Sequence, residues 1–120
     1  MTEELLARVV LSAVMLGTGS LLWWMARAAA SGRLKRNAYA GIRTGSTMAS
    51  DEAWLAAHQR AEHPTIRAAV CAFLAGLAPV LPIGENVLLA VVLVGAALIL
   101  GFVIHGAIVG GRAARAASGH

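Results

Sequence analysis

The residues able to do chemistry gather in one stretch, RLKRNAYAGIRTGSTMASDEAWLAAHQRAEHP, at positions 33–64. Arg43 beside Thr44 has the means to hold a phosphate, a lipid headgroup or a peptide carboxylate, because a guanidinium fork matches planar and tetrahedral anions. The alternative is a structural arginine that caps a helix end or pairs with Asp51 or Glu52. His58 and Glu62 stand one helical turn apart with His63 next, a spacing that suits two metal ligands. With no third or fourth ligand at a sensible spacing, a hydrogen-bonded histidine is favoured and no metal or other cofactor is expected. His105 lies far from these, and its four-residue spacing to Gly101 and Ala97 predicts a face turned toward another helix. Nucleophilic catalysis has little support, since neither a serine nor the lone Cys71 sits in a nucleophile elbow and no apolar stretch carries paired carboxylates. The chain is therefore expected not to be an enzyme.

The composition says where these residues work. Of 120 residues, 58% are hydrophobic and only 13% charged, too apolar for a soluble domain and opposite to a disordered chain. Three apolar stretches remain as spans: Val9–Ala26 with 18 uncharged residues, Ala68–Ile83 with 16, and Val87–Gly111 with 25 in which His105 is the polar group. The first and third match a hydrocarbon core of about 30 Å. The middle one is short; Pro64 is expected to open it, with Arg67 reaching back to the interface. Only Gly84, Glu85 and Asn86 separate it from the third, so the two read as a hairpin. The predicted fold is all-α: one membrane domain over 1–120, with spans at 9–26, 64–83 and 87–111, a loop at 27–67 and a frayed tail at 112–120. The acidic start and the long first apolar run predict a retained span rather than a cleaved signal.

Orientation follows from the basic residues. Seven of the ten Lys and Arg lie between the first two spans, two follow the third, and Arg8 alone lies on the other side. The excess marks the cytoplasmic side, so the N-terminus is expected outside a bacterial plasma membrane and the loop and C-terminus inside. Partners are then membrane lipids, another membrane protein or a second copy, and not nucleic acid.

Within the loop, Arg33–Arg36 form a basic cluster suited to anionic headgroups. Gly41 and Gly45 suit turns with positive φ. Thr47 or Ser50 can cap a helix from Asp51 to about Glu62, whose first turn holds Asp51 and Glu52. Helical spacing puts Trp54, Ala57, His58 and Ala61 on one face, with Trp54 suited to a membrane interface. A re-entrant or surface-lying segment is expected. In the third span, Gly106 and Gly110 form a close-approach pair serving either packing within the bundle or dimerisation.

The order N-x-x-x-G-I-R-T-x-x-T-x-x-S-D-E-x-W-x-x-x-H resembles the SdpI family, bacterial membrane proteins named for immunity to a secreted killing toxin. Asn37, Gly41, Ile42, Arg43, Thr44, Thr47, Ser50, Asp51, Glu52, Trp54 and His58 carry the resemblance. It implies a non-enzymatic membrane protein acting through protein or lipid contacts, with a peptide toxin among its partners and a role in immunity or signalling. A second expectation is an accessory structural subunit of a larger membrane complex, docked through the third span around Gly101, His105, Gly106 and Gly110.

In a Cys71→Ala background, single cysteines at Ser31 and Asn86 should react with an impermeant thiol reagent from opposite sides of the membrane. Labelling of Ser31→Cys from outside intact cells would overturn the predicted orientation.

Overall fold

The computed structural model describes residues 2–118, which form helices and no strand. Three helices follow in order: α1 (Glu3–Ala30), α2 (Asp51–Leu77) and α3 (Glu85–Ala117), with a short 3-10 turn at Ala78–Val80. Each is long and apolar enough to cross a membrane. Thr2 opens α1, its hydroxyl accepting from the Leu5 amide at 3.1 Å, with Glu3 and Glu4 in the first turn. Ser50, not Thr47, opens α2 by accepting from the Ala53 amide at 3.0 Å.

The arrangement is centred on α2. Helices α1 and α3 both pack closely on it, and among the described residues their own backbones stay apart. The reason lies in α2's small residues: Ala53, Ala57, Ala61, Ala68, Ala69, Ala72, Ala75 and Gly76 are all buried. In lipid no hydrophobic effect drives helices together, so close backbone approach and dispersion must do so. The flanking helices answer with glycines. A Cβ on Gly19 would sit 2.9 Å from Phe73 Cδ1, one on Gly95 2.9 Å from Ala75 Cβ, and one on Gly110 3.0 Å from the Ala57 carbonyl oxygen. Gly106 and Gly110 thus serve packing inside the bundle.

Two expectations about α2 are corrected. The helix beginning at Asp51 and the second span are one continuous helix, and Pro64 lies inside it, buried, rather than at its start. Proline removes the amide that would bond the Arg60 carbonyl, at a cost of about 3 kcal/mol in a helix interior. Packing offsets this cost: Pro64 is buried, and the open side of Gly106 on α3 faces its ring. The loop is accordingly shorter than 27–67, its non-helical part lying between α1 and α2. The tail is not frayed as far as it is described. Helix α3 continues to Ala117, and Ala114 joins Ala53 and Ala57 in a buried cluster.

The face of α3 expected to meet a helix is also corrected. Ala97, Gly101 and His105 are exposed, and a Cβ on Gly101 would meet nothing within 4 Å. Four-residue spacing places them on a common face, but Gly95, Gly106 and Gly110 fix which side of α3 turns to α2.

At the opposite end from the loop, Arg8 latches α1 to the hairpin turn. Its guanidinium donates to the carbonyls of Pro79 at 3.0 Å, Leu81 at 3.3 Å and Ile83 at 2.7 Å. Close by, the Ser12 hydroxyl donates to the Gly76 carbonyl.

Gly110→Val should drive a branched side chain into the Ala57 backbone and destabilise the bundle by about 1–3 kcal/mol. Gly101→Val should leave it unchanged within about 0.5 kcal/mol. Thermal unfolding of both variants in the same detergent checks the pair; equal losses would refute this assignment of faces.

Candidate recognition site

The loop between α1 and α2 is built from side chains that use one another. The chain leaves α1 at Ser31 and reverses at Gly32, whose φ is +84°. Asn37 then organises a tight turn. Its Oδ1 accepts from the amides of Tyr39 and Ala40, both at 2.8 Å, and its Nδ2 donates to the carbonyls of Lys35 at 2.7 Å and Ala40 at 3.1 Å. This is the side chain standing in for a backbone turn.

Gly41 comes next, with φ +102°. Besides that conformation, the space is taken: a Cβ would lie 2.6 Å from Trp54 Cη2 and 2.9 Å from His58 Nε2. Only glycine lets the backbone reach these two rings. Gly45, by contrast, lies in a turn but without a positive φ and with nothing near it, so only the conformation expected there is corrected.

Trp54 and His58 are 2% and 5% exposed, with ring centroids 4.2 Å apart. The indole Nε1–H donates to the Leu34 carbonyl at 2.9 Å. Trp54 is therefore the buried floor of the loop rather than an interfacial anchor. The Ile42 amide donates to His58 Nε2 at 2.8 Å, and His58 Nδ1 lies 2.8 Å from the Trp54 carbonyl. One arrangement satisfies both: neutral imidazole with its proton on Nδ1. His58 is thus the hydrogen-bonded histidine expected, clamping the loop onto α2.

Thr47, fully buried, makes the second clamp. Its Oγ1 donates to the Ile42 carbonyl at 2.6 Å and accepts from the Thr44 amide at 2.9 Å, while the Thr47 amide donates to Thr44 Oγ1 at 3.3 Å. Both backbone groups of Ile42 are thereby held, one by each clamp. Gly41 and Ile42 line a cavity of about 100 Å³ with Leu22 and Met25 of α1, Thr65 of α2 and Val103 of α3. The loop therefore turns back onto residues of all three helices.

Arg43 neither caps a helix nor pairs with Asp51 or Glu52. Its Nε donates to the Asn37 carbonyl at 2.9 Å, and the residue is exposed. The partner of Asp51 is Arg36, at 3.0 Å, which also donates to the Met48 carbonyl at 2.8 Å. Arg36 leaves the expected headgroup cluster to tie the loop to the first turn of α2. Tyr39, missed in the sequence, is 94% exposed on the Asn37 turn. A tyrosine directly after an Asx-type turn was the available signal.

The site brings together Asn37, Gly41, Arg43, Thr44 and Thr47 of the loop with Ser50, Trp54 and His58 at the start of α2. His105 and Gly101 lie elsewhere, on the outer face of α3. Among the described residues, no three His, Cys, Asp or Glu side chains group to hold a metal.

A family model described as the SdpI/YfhL protein family matches residues 33–105. Neither the curated proteins nor the solved structures contain a match.

His58 stands ahead of the uncharged run that begins at Ala68, and burial pushes its pKa below 6.5, against the raising effect of its bond to the Trp54 carbonyl. A lowered folded value means that the fold favours the neutral ring. That stabilisation is complete above pH 6.5 and is lost as pH falls through the folded value. In detergent, the His58 imidazole resonances should titrate with a midpoint below 6.5, and the Ile42 amide should lose its protection over the same range. A midpoint at or above 6.5 would refute the clamp.

Proposed function

Because the chain belongs to the SdpI/YfhL protein family, we propose that it is a non-enzymatic membrane protein whose loop recognises a protein or peptide partner, in immunity to a secreted peptide toxin or in signalling. The loop and C-terminus face the cytoplasm of a bacterial cell and the N-terminus lies outside, in line with the distribution of Lys and Arg.

One observation carries the reading. The motif's polar side chains are spent on holding its shape, while Arg43 and Tyr39 stand outward from it. His58 and Thr47, the groups that would serve catalysis, are engaged on both sides by backbone. Arg43 keeps its terminal nitrogens for an acceptor beyond the loop, braced at Nε by Asn37. Arginine and tyrosine on a preorganised loop are the side chains that dominate recognition surfaces, because little conformational freedom is lost when they bind.

A second reading, an accessory subunit of a larger membrane complex, is favoured by the exposed face of Ala97, Gly101 and His105. That face leaves an ionisable side chain at membrane depth without a helix against it. A stoichiometric partner co-purifying in mild detergent would favour that reading.

Arg43→Lys keeps the charge but loses both the planar fork and the Nε brace. Losing the brace should cost about 1 kcal/mol of stability, so insertion and folded yield should persist. In cells lacking the chain and complemented with each version, challenge with peptides secreted by competing bacteria should show protection by the wild type. Arg43→Lys should reduce it at least about tenfold, more than the lost brace explains. Full protection by Arg43→Lys would remove Arg43 from recognition.

A further inference from the structure

On the side of α1 away from the motif, a recess of about 570 Å³ is lined by Ser20, Trp23, Trp24, Arg27, Arg33 and Phe73. We propose that it is a binding site for one anionic phospholipid, whose phosphate sits between Arg27 and Arg33 and whose acyl chains run along Phe73. The proposal rests on the membrane-spanning reading of α1 and is independent of what Arg43 recognises.

The order of side chains along the helix matches the order of groups in a phospholipid. Ser20 lies inside the uncharged run that ends at Ala26, Trp23 and Trp24 occupy its last turn, and Arg27 is the first charge after it. From Ser20 to Arg27 the helix rises about 10 Å. Apolar wall, amphipathic aromatic pair and cations thus succeed one another from hydrocarbon to headgroup. Phe73 of α2 forms the inner wall because Gly19 has no side chain; a Cβ there would come within 2.9 Å of the ring.

The cationic rim is assembled by the chain reversal at Gly32. After it, the Leu34 amide returns to the Ala28 carbonyl at 2.9 Å, which carries Arg33 back toward α1. Ser31 holds it there, accepting from Arg33 Nε at 3.0 Å while donating to the Ala28 carbonyl at 3.2 Å. Arg27 pairs only loosely with Glu62, at 3.7 Å. Two guanidiniums and one carboxylate leave a single net positive charge. A phosphodiester with an uncharged headgroup neutralises it, whereas a zwitterionic lipid brings a cation of its own.

The test uses the full chain in phosphatidylcholine bilayers containing phosphatidylglycerol, with bromine on the acyl chains of one lipid or the other. Brominated phosphatidylglycerol should quench tryptophan fluorescence with an apparent affinity about fivefold above brominated phosphatidylcholine. Trp54, buried in the loop, contributes little to the change. Arg33→Ala should bring the ratio close to one, Glu62→Gln should raise it by freeing Arg27, and Arg60→Ala, outside the recess, should leave it unchanged. Equal quenching by the two lipids in the wild type would overturn the proposal. So would a loss in Arg60→Ala as large as in Arg33→Ala, because the preference would then be diffuse. Millimolar inorganic phosphate should not relieve the quenching; relief would show an ion site rather than a lipid site.

Discussion

Everything in this chain hangs on α2 being thin on two sides at once. A helix inside a bilayer gains nothing from hiding apolar atoms, since the lipid is as apolar as its neighbours. It is held by contact distance. Alanines at Ala68, Ala69, Ala72 and Ala75, with Gly19 and Gly95 opposing them, bring three backbones close together, so that many weak contacts replace the hydrophobic effect. Continuity through Pro64 is part of the same economy of space. A break there would detach the first half of α2, which carries Trp54 and His58, from the apolar half that follows it. Because the helix runs on, the loop's floor and the membrane span are one rigid body.

The loop then inherits its rigidity from that body. His58 and Thr47 fix the amide and carbonyl of Ile42 from opposite sides. Gly41 makes this possible by leaving room for two aromatic rings where any side chain would intrude. The recognition proposed for Arg43 and Tyr39 would draw on this arrangement, since a side chain on a mobile loop gives up on binding the freedom that a fixed one has already lost.

Much of this was legible in the residues. Uncharged runs located the three spans, Ser50 with Asp51 and Glu52 marked the start of α2, and the order from Asn37 to His58 pointed to a built loop of the SdpI type. Other features lay beyond local pattern. Trp54 suits a membrane interface as well as a buried floor, and the Leu34 carbonyl that decides between them is twenty residues away. Helical spacing grouped Gly101 with His105, yet only the contacts of Gly95 and Gly110 set which way that face points. Pro64 looked like a beginning because the packing that carries α2 through it comes from the other helices. Arg36 looked like one of a set of headgroup-binding cations until the fold brought Asp51 to it.

The latch at Arg8 has a consequence for how the protein is made. Its three acceptors lie 71, 73 and 75 residues further along the chain. At ribosomal rates that separation is on the order of 4–15 s of synthesis. Throughout that interval α1 stands with Arg8 unanswered, apart from Glu4 a turn away at 3.5 Å. The clasp closes only after the turn at Pro79–Ile83 has been made and brought back to α1. Biogenesis therefore has a late step at the hairpin end of the bundle, and a chain halted before the turn would leave its first helix without its final tether.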